Sequence, residues 1–310
     1  SSCGTSGGSP SCPFSVWDIS PVRNGQSPVT LFNGLHGYTR FPAFPEPLQK
    51  PTGSLHSLSV SNDGSRAYFA LLTGGFAVVD VSDFANGVPS PQPRPITLNE
   101  ARPTWSGPGA HSAVKLWGRD WVWVSDEVYG TATGSGHGCP WGWARMIDIS
   151  DPRVPTVEAE YRLPENDPDT CDDWNPPRTS YSAHNPTLTP HIAFSTWHSG
   201  GFQAVSIQQA HKPYQLAEFF PQPLPEVMLE DPRLSSDPDT GRHEKVVMWS
   251  YPIVKDGLIY VIDLRNGLYV LKYRGDFEKE VSRIGFLEGN SNQGDAFCYE
   301  PVGSAPSYCD

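Results

Sequence analysis

His56, His111 and His184 each stand just ahead of a short, largely apolar run, which opens with Leu58-Ser59-Val60, Ala113-Val114 and Pro186-Thr187-Leu188 respectively. A fourth histidine, His198, follows Trp197, and Asp126-Glu127 close the run Trp121-Val122-Trp123-Val124. Imidazole and carboxylate without thiolate form a donor set for Zn, Cu, Fe, Mn or Ni, whereas Ca asks for oxygen ligands only. His56, His111, His184 and His198 are therefore candidate metal ligands. Asp126 and Glu127 are further ligands, or acid/base groups beside the metal. Ligation needs neutral imidazole, so affinity should fall below about pH 6. In the competing reading each histidine caps its strand, donating to a neighbouring carbonyl or carboxylate.

These residues gain equivalence only through the elements that carry them. Residues 56–83, 111–151, 184–207 and 250–273 each read as strand, turn, strand, Gly, strand. The third and fourth align without a gap, pairing Pro186 with Pro252, Leu188 with Val254, Phe194 with Tyr260 and Gly201 with Gly267. Alternation such as Leu258-Ile259-Tyr260-Val261-Ile262 marks strands, and no helix is expected. Small sheets repeated at this scale predict an all-β fold, a β-propeller with blades of three or four antiparallel strands.

In such a ring the first strand of each blade lines the channel and the second returns to the same mouth. His56, His111 and His184, with Ser250 in the fourth unit, should then approach the axis at one mouth. Leu71, Asp126, Trp197 and Asp263 should return there, with Glu127 and His198 one residue on. Phe14-Ser15-Val16-Trp17-Asp18-Ile19-Ser20-Pro21 reads as an outer strand without a preceding half-blade. Either the segment around residues 281–287 completes that blade and closes a five-bladed ring, or the chain is part of a larger, seven-bladed one. We expect a single domain over 1–310: an N-terminal outer strand and loop (1–52), four repeats (53–275) and a closing segment (276–310).

Composition narrows the partners. A net charge of −12 opposes binding to a phosphate backbone, so nucleic acid is excluded as an expected partner. No apolar run is long enough to cross a membrane as a helix. The first residues, Ser1-Ser2-Cys3-Gly4, have neither a basic nor an apolar leader region, as expected of a processed or truncated chain. With 32 Pro and 29 Gly, the 310 residues have ample turn formers for many short strands. Cys3, Cys12, Cys139, Cys171, Cys298 and Cys309 lie in loop-like sequence and never as Cys-x-x-Cys. An even count in loops points to disulfides and an oxidising compartment, with the sequential pairs 3–12, 139–171 and 298–309 expected from short loop closure.

Residues 129–143 form a Gly-rich insertion directly after Asp126-Glu127, where it would overhang the mouth. Trp141, Trp143 and Trp197, with Trp105 and Trp174, could present a stacking platform for a sugar or aromatic ligand; packing between blades is the alternative. The acidic loops 165–173 and 230–241 lack the spacing of a calcium loop and read as solvated turns. His36, His137, His191, His211 and His243 have no counterparts in other units and are expected to be structural or exposed.

Gly75-Phe76-Ala77-Val78-Val79-Asp80-Val81-Ser82-Asp83 and Gly267-Leu268-Tyr269-Val270-Leu271 resemble the repeat phrase of the LVIVD-repeat family of bacterial β-propellers. Gly109-Ala110-His111-Ser112-Ala113-Val114, Ser182-Ala183-His184-Asn185-Pro186-Thr187 and Trp197-His198-Ser199-Gly200-Gly201 are similar to segments of its secreted members. The resemblance covers roughly residues 50–275 and implies a secreted propeller. More distantly, histidines opening successive blades are similar to those of the selenium-binding protein and methanethiol oxidase family, which implies metal held by channel histidines. The expected function is a secreted propeller with a ligand site at one mouth, holding a small-molecule, glycan or protein ligand and a Cu, Zn, Fe or Mn centre. The alternatives are a non-catalytic extracellular scaffold and a metal-dependent oxidase or hydrolase of a small molecule.

Overall fold

The computed structural model describes residues 4–6, 9–11, 14–34, 55–61, 63–105, 109–127, 141–167, 169, 181–229 and 246–289. All six cysteines, and residues 129–140 of the insertion, lie outside these, as do Trp174, His36, His137 and His243. Two short antiparallel pairs come first, β1 (Gly4–Ser6) with β2 (Ser9–Ser11), and β3 (Phe14–Asp18) with β4 (Val29–Gly34). Four four-stranded antiparallel sheets follow, arranged as a β-propeller.

Blade 1 is β5 (Ser57–Val60), β6 (Arg66–Ala70), β7 (Phe76–Asp80) and β8 (Arg94–Pro95), paired in chain order. Blade 2 is β9 (Ala110–Lys115), β10 (Trp121–Asp126), β11 (Ala144–Asp148) and β12 (Thr156–Tyr161). Blade 3 is β13 (Pro186–Leu188), β14 (Ile192–Thr196), β15 (Phe202–Ser206) and β16 (Tyr214–Phe219). Blade 4 contains β17 (Ile253–Lys255), β18 (Leu258–Asp263), β19 (Gly267–Leu271) and β20 (Phe286–Glu288), in the order β19-β18-β17-β20. The last strand thus adds to the inner edge of blade 4 and does not pair with β3, whose partner is β4. The expected completion of the N-terminal half-blade by residues near 281–287 is not what forms.

Inner strands of blades 2 and 3 are buried on both faces, because each blade is covered by a neighbour on either side. All six residues of β9 are apolar or buried but for Lys115, whereas β12 is mostly exposed. One apolar cluster fills the joint of blades 2, 3 and 4 with Trp123, Met146, Phe194, Val205, Val254 and Val261. A second joins blades 1 and 2 through Tyr68, Phe76, Val78, Val122 and Val124. Each fully enclosed large side chain contributes roughly 1.5–3 kcal/mol. Polar contacts near the axis tie the blades together. Ser112 Oγ donates to His184 O at 2.9 Å, Thr187 Oγ1 donates to Pro252 O at 2.6 Å, and Tyr251 and Ser57 share a hydroxyl contact of 3.2 Å that joins blade 4 to blade 1.

The same turn closes the second strand of blades 1 and 3. Gly75 N donates to Leu72 O at 2.8 Å, and Gly201 N donates to His198 O at 3.1 Å. Leu72 and His198 both take positive φ, +47° and +36°. Each then bridges to the next blade, Leu72 to Ala110 and His198 to Met248. Gly109 is what admits the first bridge: its φ is +77°, and a Cβ there would lie 2.0 Å from Leu72 O. Helix is present, against expectation, as the single turns α1 (Ser82–Ala85) and α2 (Glu278–Val281). Both occupy inter-strand connections, where a four-residue turn leaves no periodic signal. Among the described residues no helix is long and apolar enough to cross a membrane.

Candidate metal centre

Glu127 leaves the end of β10 one residue after Asp126, and the pleat sends the two carboxylates to different sides. Three imidazoles meet the Glu127 carboxylate. His111 Nε2 lies 2.9 Å from Oε2, while His184 Nε2 and His198 Nε2 lie 2.9 Å and 3.1 Å from Oε1. The four residues come from three places: the second residue of β9, the residue after β10, and the segments flanking β13 and β14. His56 completes the row from the solvent side, exposed, its ring 3.8 Å from that of His111 between centroids. His111, Glu127, His184 and His198 are 4%, 5%, 2% and 2% exposed.

Protonation follows from this burial. Desolvation pushes the His111 imidazole down to about 3, against the pull of Glu127. His198 is lowered for the same reason, and so is His56, where Glu127 and a hydrogen bond to the His111 backbone oppose the shift. Burial alone would raise Glu127, but hydrogen bonds from His111, His184 and His198 outweigh it and hold the carboxyl well below the usual range. At neutral pH the cluster therefore combines an anionic carboxylate with neutral His56, His111 and His198, the forms that ligate metal.

His184 is the most informative member. Its Nδ1 meets the backbone carbonyl of Trp249, which also accepts from Asn185 Nδ2 at 2.9 Å. A carbonyl only accepts, which places a proton on Nδ1, with Asn185 Nδ2 also 2.9 Å from that nitrogen while donating to the same carbonyl. Nε2 then either carries a second proton donated to Glu127 Oε1, as in the hydrogen-bonded metal-free state, or offers a lone pair to a cation on that side. Two electron-rich atoms 2.9 Å apart need a cation between them or a second proton. Metal-bound histidines commonly show this arrangement, with the remote N–H held by a backbone carbonyl. The spacing suits ligands at right angles, as on an octahedral ion, which on bonds of about 2.1 Å lie roughly 3.0 Å apart, more closely than tetrahedral ligands at about 3.4 Å. Two overlapping donor sets, His56/His111/Glu127 and Glu127/His184/His198, each have ligand atoms within 4.8 Å of one another.

Trp249 forms the inner wall. Its ring stacks on His198 at 4.8 Å and 5° between planes, and lies 4.8 Å from His184. Tyr251 stands at the blade 4 side, its phenol pushed up to about 12 by burial and therefore neutral. Neither Trp249, Tyr251 nor Asn185 was singled out from sequence. The available signal was their position, since Trp249 and Tyr251 flank Ser250, which aligns with the blade-opening histidines, and Asn185 follows one of them.

Asp126 belongs to a different environment. It accepts from Trp105 Nε1 at 2.8 Å and pairs with buried Arg145, and burial pushes it up to about 6 despite both partners. Its side chain therefore makes no contact with the imidazoles and serves the strand end that presents Glu127. Leu71, Trp197 and Asp263, expected at the mouth on the same counting, are also buried. Asp263 caps its own turn by accepting from Arg265 N and Asn266 N at 2.9 Å and 2.8 Å.

The tryptophan platform does not form among the described residues. Trp197 is fully enclosed, edge-on to Tyr161, with Nε1 donating to Asn166 Oδ1 at 3.1 Å. Trp141 is buried as well, and Trp143 lies between the guanidiniums of Arg145 and Arg162 at 4.7 Å and 3.9 Å. Apolar rings beside blade joints are drawn into them, which the sequence pattern does not distinguish from a ligand face. His191 pairs with Glu280 at 2.7 Å and stacks on Phe277, and His211 is exposed.

No family model and no curated protein matches this chain. Among solved structures it is similar to the computationally designed Ika4 protein, at 8% identity over 73% of this chain and 96% of that one, with a TM-score of 0.39. It is also similar to a protein from Lactobacillus plantarum, at 11% identity over 82% of this chain and 62% of that one, TM-score 0.38. Sqt1 from Chaetomium thermophilum gives 14% identity over 90% of this chain and 57% of that one, TM-score 0.39. The chain thus spans less than two thirds of the length of the latter two. Likenesses this weak carry no functional argument.

Proposed function

We propose that this chain is a secreted β-propeller of the LVIVD type that binds a transition-metal ion at one mouth of its channel, through Glu127, His111, His184 and His198. The observation that carries the reading is His184, oriented at Nδ1 by the Trp249 carbonyl and the neighbouring Asn185 amide so that its Nε2 lies 2.9 Å from Glu127 Oε1. Imidazole and carboxylate donors favour Zn, Cu, Fe or Mn. When bound, the ion would supply Lewis acidity or redox chemistry, and His56 at the exposed end leaves a route by which a small molecule reaches it. The buried chain residues would hold the ion rigidly, because their rings pack on one another and on Trp249.

A metal-free scaffold for a protein or glycan is the second reading, favoured by the three imidazoles that approach Glu127 within hydrogen-bonding distance. The two are separated by metal analysis of protein purified without chelator and then titrated with Zn(II), Cu(II) and Mn(II), beside a His111→Ala/His184→Ala double variant of verified circular dichroism. Stoichiometric metal in the wild type and its loss in the variant support the metal site. Equal and negligible metal in both leaves the scaffold.

A further inference from the structure

We infer that the cluster is a two-metal site in which Glu127 bridges an outer ion, held with His56 and His111, and an inner ion, held with His184 and His198. The inference rests on the metal-binding reading above and goes beyond it in stoichiometry, in the division of labour among the ligands and in the ligand class that follows.

The two oxygens of Glu127 do not share their partners. Oε2 faces His111 Nε2 at 2.9 Å, and Oε1 faces His184 Nε2 at 2.9 Å and His198 Nε2 at 3.1 Å. A single ion on Oε1 would use His184 and His198 and leave His111 directed at the other oxygen. His56 lies beyond His111 in the row, ring centroids 3.8 Å apart, and falls in a donor set with His111 and Glu127 that excludes His184 and His198. Each half thus has two imidazoles and one carboxylate oxygen, which is a complete set of protein ligands for an ion that keeps open positions. A carboxylate binding through both oxygens suits ions about 3.5–4 Å apart, the usual spacing of two-metal sites.

A second observation points the same way. His111 Nδ1 is buried without a hydrogen-bond partner, in a residue only 4% exposed. A buried ring nitrogen left unsatisfied is costly, and here it gives His111 a second donor atom beside the Nε2 that faces Glu127. The halves also differ in access. His184 and His198 are walled by Trp249, while His56 is exposed. The inner ion would bind first and exchange slowly, and the outer ion would exchange freely with solvent.

Charge fixes the ligand class. Two divalent ions beside a single carboxylate leave an excess of positive charge in a buried site, and an anion entering past His56 would offset it. Phosphate or a carboxylate-bearing small molecule is the chemistry that fits, bound across both ions.

The test uses the full chain, loaded with Mn(II) and freed of excess metal by gel filtration, with metal counted by mass spectrometry and coupling read by electron paramagnetic resonance. Two equivalents with an exchange-coupled spectrum are expected in the wild type. His56→Ala, at an exposed position, should fold normally, keep one equivalent and show an isolated-ion spectrum. Inorganic phosphate should bind the two-ion protein at least tenfold more tightly than His56→Ala. One equivalent in both proteins overturns the bridge and leaves the single-ion reading standing. Two equivalents in both place the second ion elsewhere and overturn it as well. No metal in either removes the metal reading itself.

Discussion

Asp126 and Glu127 are consecutive residues whose carboxylates serve different partners: Asp126 pairs with Arg145 and Trp105, Glu127 with three imidazoles. Substituting them should therefore separate stability from binding. Asp126→Asn leaves the buried Arg145 charge with only the partly exposed Glu160, 3.4 Å away, as counter-ion and should cost about 2 kcal/mol of stability. Glu127→Gln should weaken metal binding by about 100-fold or more. Thermal melts and calorimetric metal titrations of both variants check this. Equal losses of affinity would contradict the separation.

Acid should destabilise the metal-free protein. His111 is held down to about 3 in the folded state, while an unfolded histidine titrates near 6.5. Between those values the unfolded chain binds a proton that the folded one does not, so stability falls as pH drops through this window, by about 1 kcal/mol per pH unit for His111. The lowered His56 and His198 act in the same direction. Asp126, raised to about 6, acts oppositely between that value and the unfolded 3.8, where the folded state binds the extra proton. Three histidines against one aspartate give a net loss from pH 6.5 toward 4. Urea unfolding across that range measures the slope, and Asp126→Asn should steepen it below pH 6.

Trp249 reports on the site. Its ring lies on His198, so Cu(II) in the cluster should quench its fluorescence strongly. Trp249→Phe keeps an aromatic face on the imidazole and should bind Cu(II) while losing most of that quench. An unchanged quench in Trp249→Phe would move the ion away from this wall.

Gly109 sets where His111 stands, since it allows Ala110 to bridge Leu72. Gly109→Ala meets a left-handed backbone and a carbonyl oxygen at bonding range, and should lower stability by about 2 kcal/mol or more. Metal affinity should fall with it, because His111 is carried on the displaced strand. Denaturant midpoints and metal titration of the same preparation check the pair of effects.

The propeller was readable because each unit repeats the same constraints: an alternating strand, a Gly at the turn, and a covered sheet on either side. The equivalence of His56, His111 and His184 came from that repetition, as did the placing of Glu127 and His198 at one position of successive turns. Other features depend on three-dimensional neighbours and leave no periodic trace. Asp126 shares Glu127's place in the chain but not its direction, which depends on where β10 ends. Trp249 acts through its backbone carbonyl and ring face, and any residue supplies a carbonyl. Trp197 and Trp141 read equally well as ligand faces and as core until the blade joint that encloses them is known. β20 is a three-residue strand, too short to announce which edge it will join.

Blade 4 receives its inner strand, β20, from residues that follow all its other strands in sequence. On a ribosome, His56, His111, Glu127, His184 and His198 are all synthesised before Trp249, and β20 later still. A nascent chain would pass through a stage with every imidazole in place and the inner wall missing, when the donors are open to whichever cation is most abundant nearby. If the cluster holds metal as proposed, docking of blade 4 would enclose whatever had bound by then, and the order of synthesis would become part of how the ion is selected.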